Sequence, residues 1–143
     1  MNAELRRFKQ IWFVDFEFIA KPGEHPDVLC LCALELYSGQ SFKLWEDQLG
    51  AVPPYRIDDG AVFVCFSAMA ECGCHLSLGW PLPKNVIDLS PMFRCYINGR
   101  TPPAEGKGLV GALSHFGLNT IGENTRRPCG SAFWRAGRSA RKR

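Results

Sequence analysis

The sequence predicts an α/β domain on a mixed sheet: an antiparallel meander joined to a parallel crossover unit, with flanking helices. Three observations predict it. Runs rich in β-branched and aromatic residues at 10–18, 28–37 and 41–45 follow one another with only turn residues between them, the pattern of a meander. Two more short apolar runs, 61–66 and 85–89, are separated by a stretch of helical character, the pattern of a crossover between parallel strands. The composition is globular: 143 residues, 46% hydrophobic and 22% charged. A chain of that length hides roughly two-thirds of its unfolded surface. Disordered chains, coiled coils and collagen-like fibres are excluded, and no apolar run reaches the roughly 18–20 residues of a membrane span. The polar start, Met1 to Gln10 with Glu4, does not read as a secretory signal. The expectation is a soluble, cytoplasmic protein with no membrane partner.

Each element has a local reason. Gln10 to Phe18 (Q-I-W-F-V-D-F-E-F) places Val14, Phe16 and Phe18 at period two, hence a strand. Lys21-Pro22-Gly23 and Pro26 mark the turn after it. Val28 to Tyr37 is a largely buried strand. Ser38-Gly39-Gln40 then makes a tight hairpin with Ser41 to Trp45. A loop with Pro53-Pro54 and Asp58-Asp59-Gly60 leads to the apolar strand Ala61 to Phe66. Ser67 is placed to cap a helix running to about Leu78, with Met69, Cys72, His75, Leu76 and Gly79 expected near one face. Trp80-Pro81-Leu82-Pro83 stops it. Asn85 to Leu89 is a fifth strand, and Ser90-Pro91 opens a helix that ends at Asn98-Gly99. Leu109 to Phe116 is a last short helix, capped by Gly117.

Seven cysteines, an odd number set mostly in apolar stretches, suggest reduced, buried thiols rather than a disulfide framework. Cys72, Cys74 and His75 lack a second ligand pair at zinc-like spacing, so a zinc site is not expected.

Asp15 and Glu17 stand out. They lie two apart in an apolar strand, so period two puts both carboxylates on one face. Two acids side by side repel and are costly to desolvate, unless a cation or a polar cleft offsets them. Hard cations such as Mg²⁺ or Mn²⁺ take such oxygen ligands. Ordinary surface acids on a solvent-facing strand would carry the same pattern. Phe13 and Ile19 flank the pair on its own face and Phe16 and Phe18 occupy the other, which points to a strand covered on both sides. Glu71, one turn into the helix after the fourth strand, is the next candidate, and a favourable helix-dipole position explains it equally well. Asp88, ending the fifth strand, reads either as a further carboxylate or as a helix cap.

At this point the chain resembles a family. F-V-D-F-E-F (13–18) followed by a hairpin looks like the first motif of the DEDD 3′–5′ exonucleases, which have a ribonuclease-H-like fold. Residues 70–99 (A-E-C-G-C-H-L-S-L-G-W-P-L-P-K-N-V-I-D-L-S-P-M-F-R-C-Y-I-N-G) and 108–118 (G-L-V-G-A-L-S-H-F-G-L) resemble the exonuclease part of phage-type and bacterial family A DNA polymerases. The resemblance covers roughly residues 8–121. It implies a two-metal site using Mg²⁺ or Mn²⁺, in which Asp15 and Glu17 are catalytic ligands. Glu71 is implied as the second motif's acid, where many exonucleases have Asp, and Asp88 as a less favoured ligand. It implies hydrolysis at the 3′ end of single-stranded DNA, with Phe16, Phe18 or Trp80 as stacking candidates and core packing their commoner use.

The family's third motif, a Tyr or His followed by an Asp, has no counterpart, since no Tyr, His or Asp occurs after residue 121. The expectation is an incomplete, C-terminally truncated domain of impaired activity. Residues 122–143 carry seven basic residues and one acid, a segment of +6 on a body of −3. One reading makes that tail a nucleic-acid arm on a non-catalytic remnant. The other makes it a frameshifted, disordered end from about Glu123. A permitted back-translation of Pro128 to Arg143, shifted in frame, reads as a helix end, a Gly-Gly-Pro turn and a helix start.

Overall fold

A computed structural model of the chain describes residues 4–118, so the expectations for the basic tail lie outside the described residues. The elements are β1 (Gln10–Ile19), β2 (Asp27–Glu35), β3 (Ser41–Trp45), β4 (Ala61–Cys65), α1 (Ala68–Ser77), β5 (Val86–Asp88), α2 (Leu89–Tyr96) and α3 (Leu109–His115). The strands form one five-stranded mixed sheet in the order β3-β2-β1-β4-β5. β1 and β2 pair antiparallel, as do β2 and β3, while β1–β4 and β4–β5 are parallel. This is the meander plus crossover that the sequence predicts. The described residues divide into two compact units, one ending at Met92 and the other beginning at Phe93, with the division inside α2. None of the described helices is long and apolar enough to cross a membrane.

The first unit holds the sheet, with an apolar cluster on each face. Trp12, Val14 and Phe16 of β1 join Leu31 and Ala33 of β2, Ala61, Phe63 and Cys65 of β4, and Cys74 of α1 on the larger side. Tyr55 reaches that cluster from the loop before β4, and Trp80 from the segment after α1. Ile11, Val62 and Val64 pack with Phe8 on the other side, where Leu5 and Ile87 border them. Strand β4 is buried at every position, because its alternate side chains enter the two clusters. The second unit gathers Phe93, Tyr96, His115 and Phe116, with ring centroids 5.1–6.1 Å apart.

Three details depart from expectation. β2 stops at Glu35, and a five-residue loop, 36–40, replaces the tight turn. The Glu35 carboxylate accepts the N–H groups of Tyr37 and Ser38, which bends the chain out of the ladder, and Gly39 takes a φ of 70°. The buried face of α1 is Glu71, Cys74 and His75; of the residues expected together, His75 is buried and Cys72 half-buried, whereas Met69 and Leu76 are exposed. The flank of β1 that carries the acids is open: Phe13 is 39% exposed and Ile19 45%, so the strand is not covered on both faces there.

Candidate active site

Strand β4 pairs only with Gln10 to Phe13 of β1, while β2 follows β1 to Ile19. From Val14 onward β4 therefore leaves one edge of β1 without a ladder. Backbone N–H groups on such an edge need another acceptor. Glu71 supplies one: its Oε2 accepts the Phe16 N–H at 3.0 Å. The sequence favours this closure locally. Phe16 points into the core and fixes the strand, and helix α1 starts three residues after β4, so the acid on its first turn returns to the β1 edge.

Asp15 and Glu17 flank Phe16 on the opposite, solvent-accessible face. The β1–β2 register shifts between Glu17 and Phe18. Such bulges bend a strand and re-aim the neighbouring side chain. The candidate acids thus lie toward the carboxyl ends of the parallel strands, where open α/β sheets commonly bind ligands.

The three carboxylates interact electrostatically. Burial pushes the Asp15 carboxyl above its ordinary range although the side chain reaches solvent. Burial, and then the Asp15 charge, do the same to Glu17. Glu71 is only 5% exposed. Burial first, then Asp15 and more weakly Glu17, push it up to about 8, with the Phe16 N–H pulling the other way. At neutral pH the Glu71 carboxyl therefore holds a proton, and Oε1 is the oxygen left to carry it. Among the described residues no group of three His, Cys, Asp or Glu stands close enough to hold a metal ion as it is. The acids sense one another's charge without forming a finished cation cage.

Asp88 has a different task. Its Oδ2 accepts the Ala68 N–H at 2.9 Å and its Oδ1 the Ser90 N–H at 3.0 Å. Both oxygens thus serve backbone groups at the starts of α1 and α2. Ser67 sits at the cap position of α1, but its side chain makes no capping bond.

Two of the stacking candidates are interior residues. Phe16 packs against His75 and Trp80 at centroid distances of 5.8 and 6.2 Å, and the Trp80 indole N–H donates to the Gly50 carbonyl at 2.9 Å. Phe16 and Trp80 are buried, so neither offers a ring face to a base; Phe18 is half-buried against the core.

Cys74 and His75 are also fully buried. The Pro81 carbonyl, at 2.9 Å, accepts from His75 Nδ1, which leaves Nε2 to accept the Tyr55 hydroxyl at 2.7 Å. Burial lowers the imidazole's proton affinity, so this ring is neutral. Cys65 and Cys74 have no disulfide partner, and burial pushes each thiol up to about 12, with Glu71 adding to it. Reduced, inert thiols at these positions fit the sequence expectation.

The sequence reading missed Glu35 and Tyr55. A lone Glu near the end of the apolar run V-L-C-L-C-A-L-E was the available signal for the first. Nothing in the Pro-rich loop marks Tyr55 as a core residue. With the geometry set, no protein-family model, curated protein or solved structure was found to match the chain.

Proposed function

We propose that the carboxyl end of β1 is the acidic half of a phosphodiesterase site of the 3′–5′ exonuclease type, on a ribonuclease-H-like sheet, with single-stranded DNA as substrate. The observation that carries the reading is that the Glu71 carboxyl accepts the N–H of the residue between Asp15 and Glu17 and is raised, after burial, by the charges of both. A solvated strand face explains two neighbouring acids. It does not explain a third, buried on a different element and raised by that burial and then by their charge. The strand order β3-β2-β1-β4-β5, with three antiparallel strands followed by two parallel ones, supports the fold assignment.

The donor set suits a hard divalent cation, since all three groups are carboxyls and, beside burial, the Asp15 charge raises both Glu17 and Glu71. Asp15 and Glu17 would hold Mg²⁺ or Mn²⁺ from the strand and Glu71 from the helix. When bound, such ions supply a water of lowered pKa and neutralise charge on the leaving oxygen. The protein's own part is positional. The Phe16 N–H orients Glu71, and loss of the Oε1 proton turns that group from a neutral acid into a ligand. A two-ion site needs a fourth oxygen-rich partner, and the sequence after residue 121 contains no Asp, Tyr or His.

Calorimetric titration with Mn²⁺ at pH 8, followed by a nuclease assay on a 3′-labelled single strand, tests the proposal. Wild-type protein should bind the ion, and D15A/E17A should not. Cleavage should be sensitive to EDTA. Equal binding by the double variant would sink the site assignment. Tight metal-independent capture of the strand would favour the basic-tail reading instead.

A further inference from the structure

Asp88 contributes nothing directly to the acidic cluster, yet it controls where one member of that cluster stands. We infer that Asp88 is a positioning residue for Glu71, acting through the first turn of α1; the inference rests on the functional reading above. Three observations carry it.

The start of α1 lacks its own side-chain cap, because Ser67 makes no such bond. Four N–H groups at a helix start need partners from outside the helix. The first of them, on Ala68, is taken by Asp88 from the end of β5, twenty residues away. Local turn bonds, from the Ala70 and Glu71 N–H groups to the Ser67 carbonyl at 3.1 Å, complete the turn. Residue 71 is therefore the point where a turn anchored by β5 delivers a carboxylate to β1.

The carboxylate of Asp88 is also fully committed. Its second oxygen accepts the Ser90 N–H, so one side chain ties the beginnings of two helices to the last residue of β5. Cys65, which ends β4, donates weakly to the Ile87 carbonyl at 3.8 Å, and β4–β5 pairing reaches Cys65 and Asp88. Glu71 in turn makes its bond across to Phe16 of β1. The path β5–Asp88–α1–Glu71–β1 thus spans the gap left where β4 stops pairing with β1. Removing its first link frees the α1 N-terminus, and the carboxylate carried there loses its fixed approach to the Phe16 N–H. Outer groups that orient metal-binding side chains typically contribute ten- to a hundred-fold to affinity.

The test compares wild type, D88A, D88N and D88A/S67N, each read in two ways. Hydrogen exchange at the Phe16 amide, referenced to Leu31, reports the Glu71–Phe16 bond. Mn²⁺ titration reports the site. D88A should lose about ten-fold in both relative to wild type, and D88N should fall between. Asn at position 67 is a good neutral N-cap and brings no new carboxylate. S67N should therefore recover most of both losses in the D88A background. If D88A does not fold, the D88N values carry the same reading.

Two results would overturn the inference. One is a lowered melting temperature with Phe16 exchange and Mn²⁺ affinity unchanged, which would make Asp88 a structural cap only. The other is loss of Mn²⁺ binding that S67N does not restore, with Phe16 protection intact, which would make Asp88 a ligand. If wild type itself binds no Mn²⁺, the functional reading fails, while the Phe16 amide still decides whether Asp88 positions Glu71.

Discussion

Two glutamates of this protein are almost fully covered, and they end in opposite states. Glu35, at the end of β2, is 2% exposed, and Glu71, on α1, is 5% exposed. Burial raises both, because a low-dielectric surrounding disfavours the charged form. Glu35 is covered only shallowly by its own hairpin, and its oxygens accept four bonds: from the N–H groups of Ile11, Tyr37 and Ser38 and from the Ser38 hydroxyl. Together those bonds overcome burial and hold it at about 2. Glu71 accepts one bond and faces two other acids, and it sits at about 8.

The number of donors and the depth of burial together separate them. A carboxylate supplied with donors is a structural anion. A carboxyl left short of donors, buried and set among like charges holds on to its proton.

The largest expected effect belongs to the structural member. Glu35→Ala leaves three backbone N–H groups without their acceptor, and should cost about 4 kcal/mol in urea denaturation at pH 7, since each bond to a charged group contributes about 1.5–3 kcal/mol. A cost under 1 kcal/mol would mean that water takes over the donors and that the contrast is overstated. The depressed pKa of Glu35 makes its contribution complete above the unfolded value near 4.5 and lost as the pH falls toward 2.

Glu71 has the opposite sign. Its folded pKa lies above the unfolded one, so between pH 4.5 and 8 the folded state binds more protons and stability falls as the pH rises. The difference between wild type and Glu71→Gln should move by on the order of 3 kcal/mol in favour of the variant from pH 5 to pH 8.5. His75 drives stability upward with pH as it passes its unfolded value, because burial lowers its folded pKa. It is common to both proteins and cancels in the difference. A pH-independent difference would remove Glu71 from the comparison.

The smallest effect isolates the neighbour. Asp15→Asn removes the larger of the two charges acting on Glu71, and should recover about 1 kcal/mol of the stability lost at high pH. No recovery would leave desolvation as the sole cause.

The contrast also marks what was legible beforehand. The strands were readable because β4 is apolar throughout and β1 alternates, and period two placed Asp15 and Glu17 together without any tertiary information. Glu71 was readable only as an acid near a helix start. Its burial was hidden because Met69 and Leu76 suggested the wrong helical face, and only the unpaired edge of β1 explains why a glutamate turns inward. Asp88 reads as a cap from its position, but its double engagement depends on two helices starting beside one strand end. Tyr55 answers to a partner 20 residues away, and one of Glu35's four bonds to a residue 24 away, contacts that no local pattern encodes.

The most direct test is a ¹³C titration of the glutamate side-chain carboxyl groups by NMR, from pH 2 to 9, with and without Mg²⁺, a diamagnetic stand-in for Mn²⁺. Glu35 should titrate near 2 whether or not the ion is present. Glu71 should titrate near 8 without the ion, and its midpoint should fall when Mg²⁺ is added. A Glu71 midpoint in the ordinary carboxylate range without Mg²⁺, or one that Mg²⁺ does not move, would contradict the account.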